Sequence, residues 1–176
     1  FYIKMIKRSD FVICNSNSLK EVCLFQYKLN ERKVSVIPNG IYLPSVKTKK
    51  NTEFPLKAVV VANFHPYKGY DLLFNALHEV MYSIQIEIFG SGNIQNIFEQ
   101  EISNLPPHIE LIFKGATDPN SSYEKYDFAI HPSRTEGMSN AIMEELSHGL
   151  PVIAFNIGGN SQLIQNNHNC LLYTSP

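Results

Sequence analysis

Short runs of strand-forming residues alternate with segments of helical periodicity along the whole chain, and this alternation limits the possible folds most. Residues 57–62 are almost all valine or alanine, a run typical of a strand buried on both faces of a parallel sheet. Residues 70–81 then place leucine, alanine and valine at helical spacing. This order repeats with short connections, which implies right-handed crossovers. The sequence therefore predicts an α/β fold with a doubly wound parallel sheet.

The remaining elements follow the same two patterns. Strands are predicted at 11–14, 34–37, 83–89, 109–113, 127–131, 152–155 and 170–173. Helices are predicted at 18–29, 93–104, 121–126 and 161–166, and one more follows Ser139, a plausible N-cap. Residues 45–56 are mostly polar, carry several lysines and lack periodicity, so they are interpreted as a linker.

Composition excludes several classes of protein. Hydrophobic residues make up 44% of the chain, which argues against disorder. The formal net charge of −1 gives no basic field for nucleic acid, and no apolar run approaches the ~18 residues of a membrane span. Cys14, Cys23 and Cys170 are interpreted as buried free thiols in a reducing compartment. The histidines show no metal-ligand spacing, and His131 is interpreted as a structural residue.

Every candidate motif lies where a predicted strand ends. Ligands of doubly wound sheets gather at the carboxyl ends of the strands. Those ends are expected at 62–69, 90–92, 114–117, 131–140 and 156–160. We therefore expect one ligand site to draw on several of these segments.

Two glutamates flank the predicted helix start at Ser139. Glu136 precedes it, and is interpreted either as an acceptor for sugar hydroxyls or as an acid that only favours the helix dipole. Glu144 lies more than one turn inside the helix, where the dipole no longer stabilises a carboxylate. It either accepts hydrogen bonds from a ribose diol or is an exposed surface residue, as the adjacent Glu145 suggests. Gly137 would allow a ligand to approach the main chain.

Lys68 and two glycine turns add a possible anion site. A lysine just before a helix start opposes the dipole, so Lys68 is either a point charge for a diphosphate or a surface lysine. The sequence Gly90-Ser91-Gly92 allows a tight turn but lacks the third glycine of a dinucleotide fingerprint. The pair Gly158-Gly159 either exposes N–H groups to phosphate or permits a turn.

A series of ordered motifs resembles the nucleotide-binding half of retaining glycosyltransferases of family 4, which have the GT-B fold. The motifs are VIPNGI at 36–41, VANFHPYKG at 61–69, FGSG at 89–92, HPS with EG at 131–137, and Glu144 followed by GLPV at 149–152. Gly158-Gly159 falls at the glycine pair of that family. The resemblance spans almost the whole chain and implies a Rossmann-like C-terminal half of a GT-B fold.

The resemblance also implies roles. Glu136 would contact the donor sugar, Glu144 the ribose, and Lys68 the diphosphate leaving group, so that Glu136 and Lys68 are the catalytic candidates. The substrate-binding set further includes Asn63, Gly69, Gly90, Gly92, Lys114, Gly137, Met138, Ser139 and Asn140. The main chain at Lys114 would meet the base.

The implied activity is transfer of a hexose, with retention, from a UDP- or GDP-linked sugar to a glycan or lipid-linked acceptor. No metal or other cofactor is expected. Polysaccharide or glycoconjugate biosynthesis is implied as the setting. The expected location is the cytoplasm, with the whole protein peripheral at the inner face of the membrane.

The chain departs from the family pattern at four positions. Asn63 stands where the family often has Arg, Gln162 where Glu is usual, Cys170 where Gly is usual, and Glu145 where a small residue is usual. Asn63 favours one alternative, a non-catalytic sugar-nucleotide-binding subunit, because asparagine cannot offset phosphate charge. A nucleotide-sugar epimerase of the same fold is a second alternative.

The resemblance also implies a division of the chain. Residues 1–44 would be the tail end of an acceptor-binding domain with the connection that follows it, and 45–56 the linker. Residues 57–176 would be the donor-binding domain, cut before its terminal helices. Because a GT-B active site lies between two domains, we expect this piece to bind nucleotide and to transfer little by itself.

Overall fold

The computed structural model describes residues 2–44, 54–92, 97–119 and 122–174, which form two parallel sheets. The smaller sheet pairs β1 (Val12–Cys14) with β2 (Val34–Val36). Helix α1 (Tyr2–Arg8) precedes this sheet, and α2 (Asn17–Glu21) connects its strands and continues as a π-helical turn, Val22–Gln26.

The larger sheet confirms the predicted doubly wound architecture. Its six strands are all parallel, in the order β5-β4-β3-β6-β7-β8. They are β3 (Leu56–Val61), β4 (Ile84–Phe89), β5 (Ile109–Gly115), β6 (Phe128–His131), β7 (Val152–Phe155) and β8 (Leu171–Tyr173). The strand order reverses between β3 and β6, where Val59 pairs with Ala129. In such sheets the crevice for ligands opens at this reversal.

Helices connect the strands of the larger sheet. They are α3 (Tyr70–Leu77), α4 (Glu99–Ser103), α5 (Asn140–Ser147) and α6 (Asn160–Leu163). Two short 3-10 turns, Pro66–Lys68 and Tyr123–Lys125, lie in the connections after β3 and β5. Helix α5 begins where the sequence predicts, because the Ser139 hydroxyl accepts a hydrogen bond from the Ile142 amide at 3.4 Å.

The core fills both faces of the larger sheet. Side chains of a strand point alternately to opposite faces, and consecutive residues Val59 and Val60 are both fully buried, in different clusters. Val60 packs in the cluster of Phe74 from α3, while Val59 packs in the cluster of Ile142 from α5. Burial of each such side chain contributes about 1.5–3 kcal/mol. This packing fixes α3 and α5 against the strand ends.

Several element bounds differ from the sequence predictions. Helix α3 ends at Leu77 instead of residue 81, because the chain must turn before Ser83, whose carbonyl pairs with Leu56 at the start of β3. Of the predicted helix 93–104, residues 99–103 form α4, and 93–96 lie outside the described residues. The predicted helices at 121–126 and 161–166 are a 3-10 turn and the short α6. Helix α1 was not predicted.

Other sequence predictions have mixed outcomes. Cys14, Cys23 and Cys170 are free and buried, as predicted. The predicted linker lies mostly outside the described residues, and β3 begins at its last residue, Leu56. The domain assignment stays a prediction. Within the described part of the chain, no helix has the length and apolar character needed to cross a membrane.

Candidate functional site

A cleft opens at the reversal of strand order, between the connections that follow β3 and β6. Its volume is about 440 Å³. Ala116 and Thr117, after β5, close it from a third side. The predicted site residues on its walls are Asn63, Lys68, Gly90, Glu136, Met138, Ser139 and Asn140. The structure thus brings most of the predicted set to one place.

Lys68 and Glu136 form an ion pair on the wall of this cleft. The Lys68 Nζ lies 2.6 Å from Glu136 Oε1, and the two side chains are 19% and 12% exposed. Lys68 ends the 3-10 turn Pro66–Lys68, and Glu136 lies between β6 and α5. Lys68 is therefore not the exposed surface lysine of the alternative interpretation.

Close contacts at two glycines hold the connections in place. Gly69 follows Lys68 with a φ of 69°, and a Cβ there would lie 1.9 Å from the carbonyl oxygen of Pro132. Gly158, with a φ of 51°, approaches the Glu136 carbonyl so closely that a Cβ would lie 1.7 Å from it. These positions require glycine, because an L side chain meets both backbone strain and a clash. The connections after β3, β6 and β7 therefore meet at the ion pair.

Arg134 adds a second tie between the first two connections. Its guanidinium donates two hydrogen bonds to the Asp71 carboxylate, at 2.7 and 2.6 Å, and its amide donates to the Tyr67 carbonyl at 2.7 Å. These bonds lower the pKa of Asp71. Because Asp71 lies in the first turn of α3, the bonds fix that helix start against the segment that carries Glu136.

Asn63 has a structural role that the sequence did not predict. Its side-chain carbonyl accepts hydrogen bonds from the amide and the hydroxyl of Ser91, both at 2.9 Å. Asn63 therefore joins the connections after β3 and β4. Gly90 and Gly92 flank Ser91, and Cβ atoms there would press on Ala62 and on Phe64.

The start of α5 faces the cleft. Ser139 caps the helix, and Asn140 accepts a hydrogen bond from the side chain of Asn39 at 2.7 Å. The first amides of a helix have no partners within it and carry partial positive charge. Lys68 and this helix start are therefore the positively charged and positively polarised groups at the cleft.

Glu144 lies in an adjoining cleft of about 500 Å³, between α5 and residues 40–44. Asn140 lines both clefts, so they adjoin at the first residue of α5. Burial and the charge of Asp118 raise the pKa of Glu144, and His148 opposes the shift. Glu136 and Glu144 thus line two adjoining clefts.

Glu145 is the residue that sequence reasoning misjudged. It is fully buried, and its Oε2 lies 2.6 Å from Nε2 of His131, which is 3% exposed. Burial raises the pKa of Glu145, and the neighbouring His131 opposes this. The signal was available, because Glu145 follows the buried Ile142 by one helical turn. The interpretation of His131 as a structural histidine agrees with this pairing.

Four residues of the predicted set line neither cleft: Gly69, Gly92, Lys114 and Gly137. Gly137 and Gly69 support the ion pair through the backbone contacts of their segments, and the Gly159 amide donates to the Gly137 carbonyl at 2.6 Å. The Lys114 side chain points to Glu87, with its Nζ 3.9 Å from Oε2. Lys114 lines neither cleft, and the segment after β5 reaches the cleft at Ala116 and Thr117 instead. The described residues contain no cluster of side chains that could hold a metal ion.

The sheet order and the cleft at its reversal define the Rossmann-like C-terminal half of a GT-B fold. A family model described as "Glycosyl transferases group 1" matches residues 55–176. The chain belongs to this family.

Two curated relatives show the same affiliation. The chain is 28% identical over 173 residues to an uncharacterized glycosyltransferase of Methanocaldococcus jannaschii, covering 94% of this chain and 48% of the relative. It is 29% identical over 174 residues to the UDP-Gal:alpha-D-GlcNAc-diphosphoundecaprenol alpha-1,3-galactosyltransferase of Escherichia coli, covering 88% and 45%. The chain thus spans about half the length of these relatives.

Solved structures share the fold. Anabaena Alr3699/HepE in complex with UDP-glucose aligns with a TM-score of 0.83 at 21% identity, covering 98% of this chain and 52% of that one. Staphylococcus aureus TarM, solved in a complex that includes UDP, aligns with a TM-score of 0.84 at 22% identity, covering 98% and 35%.

Proposed function

We propose that this chain carries the donor site of a glycosyltransferase that moves a hexose from a nucleoside diphosphate sugar to a hydroxyl of a glycan or lipid-linked acceptor, with retention. The bond from the anomeric carbon to the diphosphate oxygen breaks, and a bond to the acceptor oxygen forms. The nucleoside diphosphate leaves and the acceptor hydroxyl loses its proton. The observation that carries the proposal is the Lys68–Glu136 pair beside the start of α5, in the cleft at the strand reversal.

Lys68 and the start of α5 would hold the diphosphate. Negative charge grows on the leaving diphosphate as the glycosidic bond breaks. Once the diphosphate is bound, a lysine that is 19% exposed and a helix start stabilise that charge. In this proposal no metal ion is needed for the leaving group.

Glu136 and Glu144 would take the two sugars of the donor. Glu136 would accept hydrogen bonds from hydroxyls of the transferred hexose, next to the diphosphate on Lys68. Glu144, which lies on α5 in the adjoining cleft, would accept hydrogen bonds from the ribose diol. The base would then lie towards the backbone after β5, near Thr117.

A non-catalytic nucleotide-sugar-binding subunit is the second candidate, and Asn63 favours it. Its side chain is neutral, and its carbonyl is already engaged by Ser91. Lys68 is then the single lysine or arginine among the described residues that line the main cleft. Polysaccharide or glycoconjugate assembly is part of the proposal for the whole protein and rests on the family.

Titration calorimetry with UDP, GDP and ADP tests the donor site. We expect one of the diphosphates to bind, and Lys68→Met to weaken it by about 10- to 100-fold, since a hydrogen bond to a charged group contributes about 1.5–3 kcal/mol. Lys125→Met is the matched control, because Lys125 pairs with Glu87 and lines neither cleft. A folded protein that binds none of the three contradicts the donor site.

Release of UDP from UDP-glucose by the full-length protein separates the two candidate functions. An enzyme releases UDP at a rate that rises when an acceptor is added. A binding subunit binds the donor and leaves it intact under both conditions.

A further inference from the structure

We propose that Glu136 and the diphosphate of the donor compete for Lys68, so that Glu136 makes the site prefer an intact sugar nucleotide over the nucleoside diphosphate product. This inference rests on the proposed function. Its basis is the position of the pair on the wall of the main cleft, where both charged side chains are mostly buried.

The pair neutralises the cleft from within. Among the described residues that line the cleft, Lys68 is the only lysine or arginine and Glu136 is the only carboxylate. Their charged atoms lie 2.6 Å apart. An anion that approaches Lys68 therefore meets the charge of the Glu136 carboxylate and competes with it for the lysine N–H groups. A charged group that is mostly buried is costly to leave without a partner.

An intact donor replaces both partners. Its diphosphate takes Lys68, and hydroxyls of its hexose donate hydrogen bonds to the Glu136 carboxylate. A nucleoside diphosphate takes Lys68 only. Glu136 then faces the phosphate charge without a donor, so the free nucleotide binds less tightly than its contact with Lys68 would allow.

The exchange needs only side-chain motion. Gly69 packs against the Pro132 carbonyl, and Gly158 packs against the carbonyl of Glu136 itself. These contacts hold the backbone on each side of the pair. The Lys68 and Glu136 side chains can therefore separate and rejoin while their connections stay in place.

The same exchange favours product release. Once the hexose has moved to the acceptor, Glu136 loses its hydroxyl partners while the diphosphate still lies on Lys68. The pair then reforms as the nucleotide leaves. The affinity of the site for the nucleotide therefore depends, through Glu136, on whether the sugar is still attached.

Calorimetry of Glu136 variants with UDP and UDP-glucose tests the inference. We expect Glu136→Gln to bind UDP about tenfold more tightly than the wild type, equivalent to about 1.4 kcal/mol. UDP-glucose should gain less or lose affinity, because the amide is a weaker acceptor for the hexose hydroxyls. Glu136→Ala frees Lys68 by a different route and should also tighten UDP. Glu79→Gln, at an exposed position of the chain, is the matched control and should change neither affinity.

The outcomes separate this inference from the proposed function. If the wild type binds UDP and both Glu136 variants bind it equally or more weakly, the competition is refuted while the donor site stands. Equal gains for UDP and UDP-glucose refute the link between Glu136 and the hexose. A wild type that binds neither compound removes the donor site, and the exchange with it.

Discussion

Loss of the Glu145 side chain should destabilise the protein far more than loss of its neighbour Glu144. In Glu145→Ala the imidazole of His131, 3% exposed, loses the carboxylate that lies 2.6 Å away. Removal of one partner leaves a buried polar group without its hydrogen bond, which costs about 1–3 kcal/mol of the free energy of unfolding. For a chain of this size that corresponds to a fall in Tm of roughly 2–12 °C, at about 2–4 °C per kcal/mol.

Urea unfolding followed by circular dichroism measures this cost. Glu144→Ala is the matched control on the same helix, and its side chain has no pairing of this kind, so a change within about 1 kcal/mol is expected. Replacement of both partners, Glu145→Leu with His131→Leu, should recover much of the loss, because well-packed apolar residues often substitute for a buried polar pair without penalty.

The reasoning is refuted if Glu145→Ala and Glu144→Ala reduce the free energy of unfolding by the same small amount. It is also refuted if the double leucine variant is less stable than Glu145→Ala. Either result would mean that the His131–Glu145 contact does not determine how α5 packs on β6.

The remaining predictions concern binding and the glycine contacts. Glu144→Ala should weaken UDP binding without a matching loss of stability; equal weakening in a folded Glu145→Ala protein would contradict the assignment of Glu144 to the ribose. Burial raises the pKa of Glu144, so its carboxylate becomes protonated while the pH is still above the ordinary value of 4.5. UDP affinity should therefore fall as the pH falls through that raised pKa. Calorimetry of Glu144→Gln should show a flatter dependence of affinity on pH. Gly158→Ala should lower Tm and weaken UDP binding, because its Cβ would lie 1.7 Å from the Glu136 carbonyl. Gly40→Ala, which meets no atom within 4 Å, should leave Tm nearly unchanged, and an equal fall in both variants would refute the contact argument.

The architecture was predictable because periodicity and packing agree along the chain. The apolar run in β3 is buried on both faces, as its valines indicate, and the N-cap at Ser139 sets the start of α5. Helix lengths were less predictable, since a helix such as α3 ends where the next strand must begin and not where its apolar spacing fades. The 3-10 turn at Tyr123–Lys125 shows that Tyr123 is buried by tertiary packing and not by an amphipathic helix.

The candidate site was predictable in place but not in its pairings. The carboxyl ends of parallel strands lie at the same edge of the sheet, so Lys68 and Glu136 were expected in one region. That they contact each other follows from backbone approaches at Gly69 and Gly158, which no local pattern encodes. The structural role of Asn63 was not predictable, because its bonds to Ser91 join two connections that lie 28 residues apart in sequence.

The hydrogen bond from Asn39 to Asn140 couples the start of α5 to the segment that leaves the smaller sheet. A rotation of that sheet against the larger one must stretch or release this bond, and so must shift the first residue of the helix that faces both clefts. Occupancy of the clefts and the angle between the sheets are then linked quantities. Coupling of this kind is reciprocal. If a bound ligand favours one angle between the sheets by a given factor, fixing that angle raises the affinity for the ligand by the same factor.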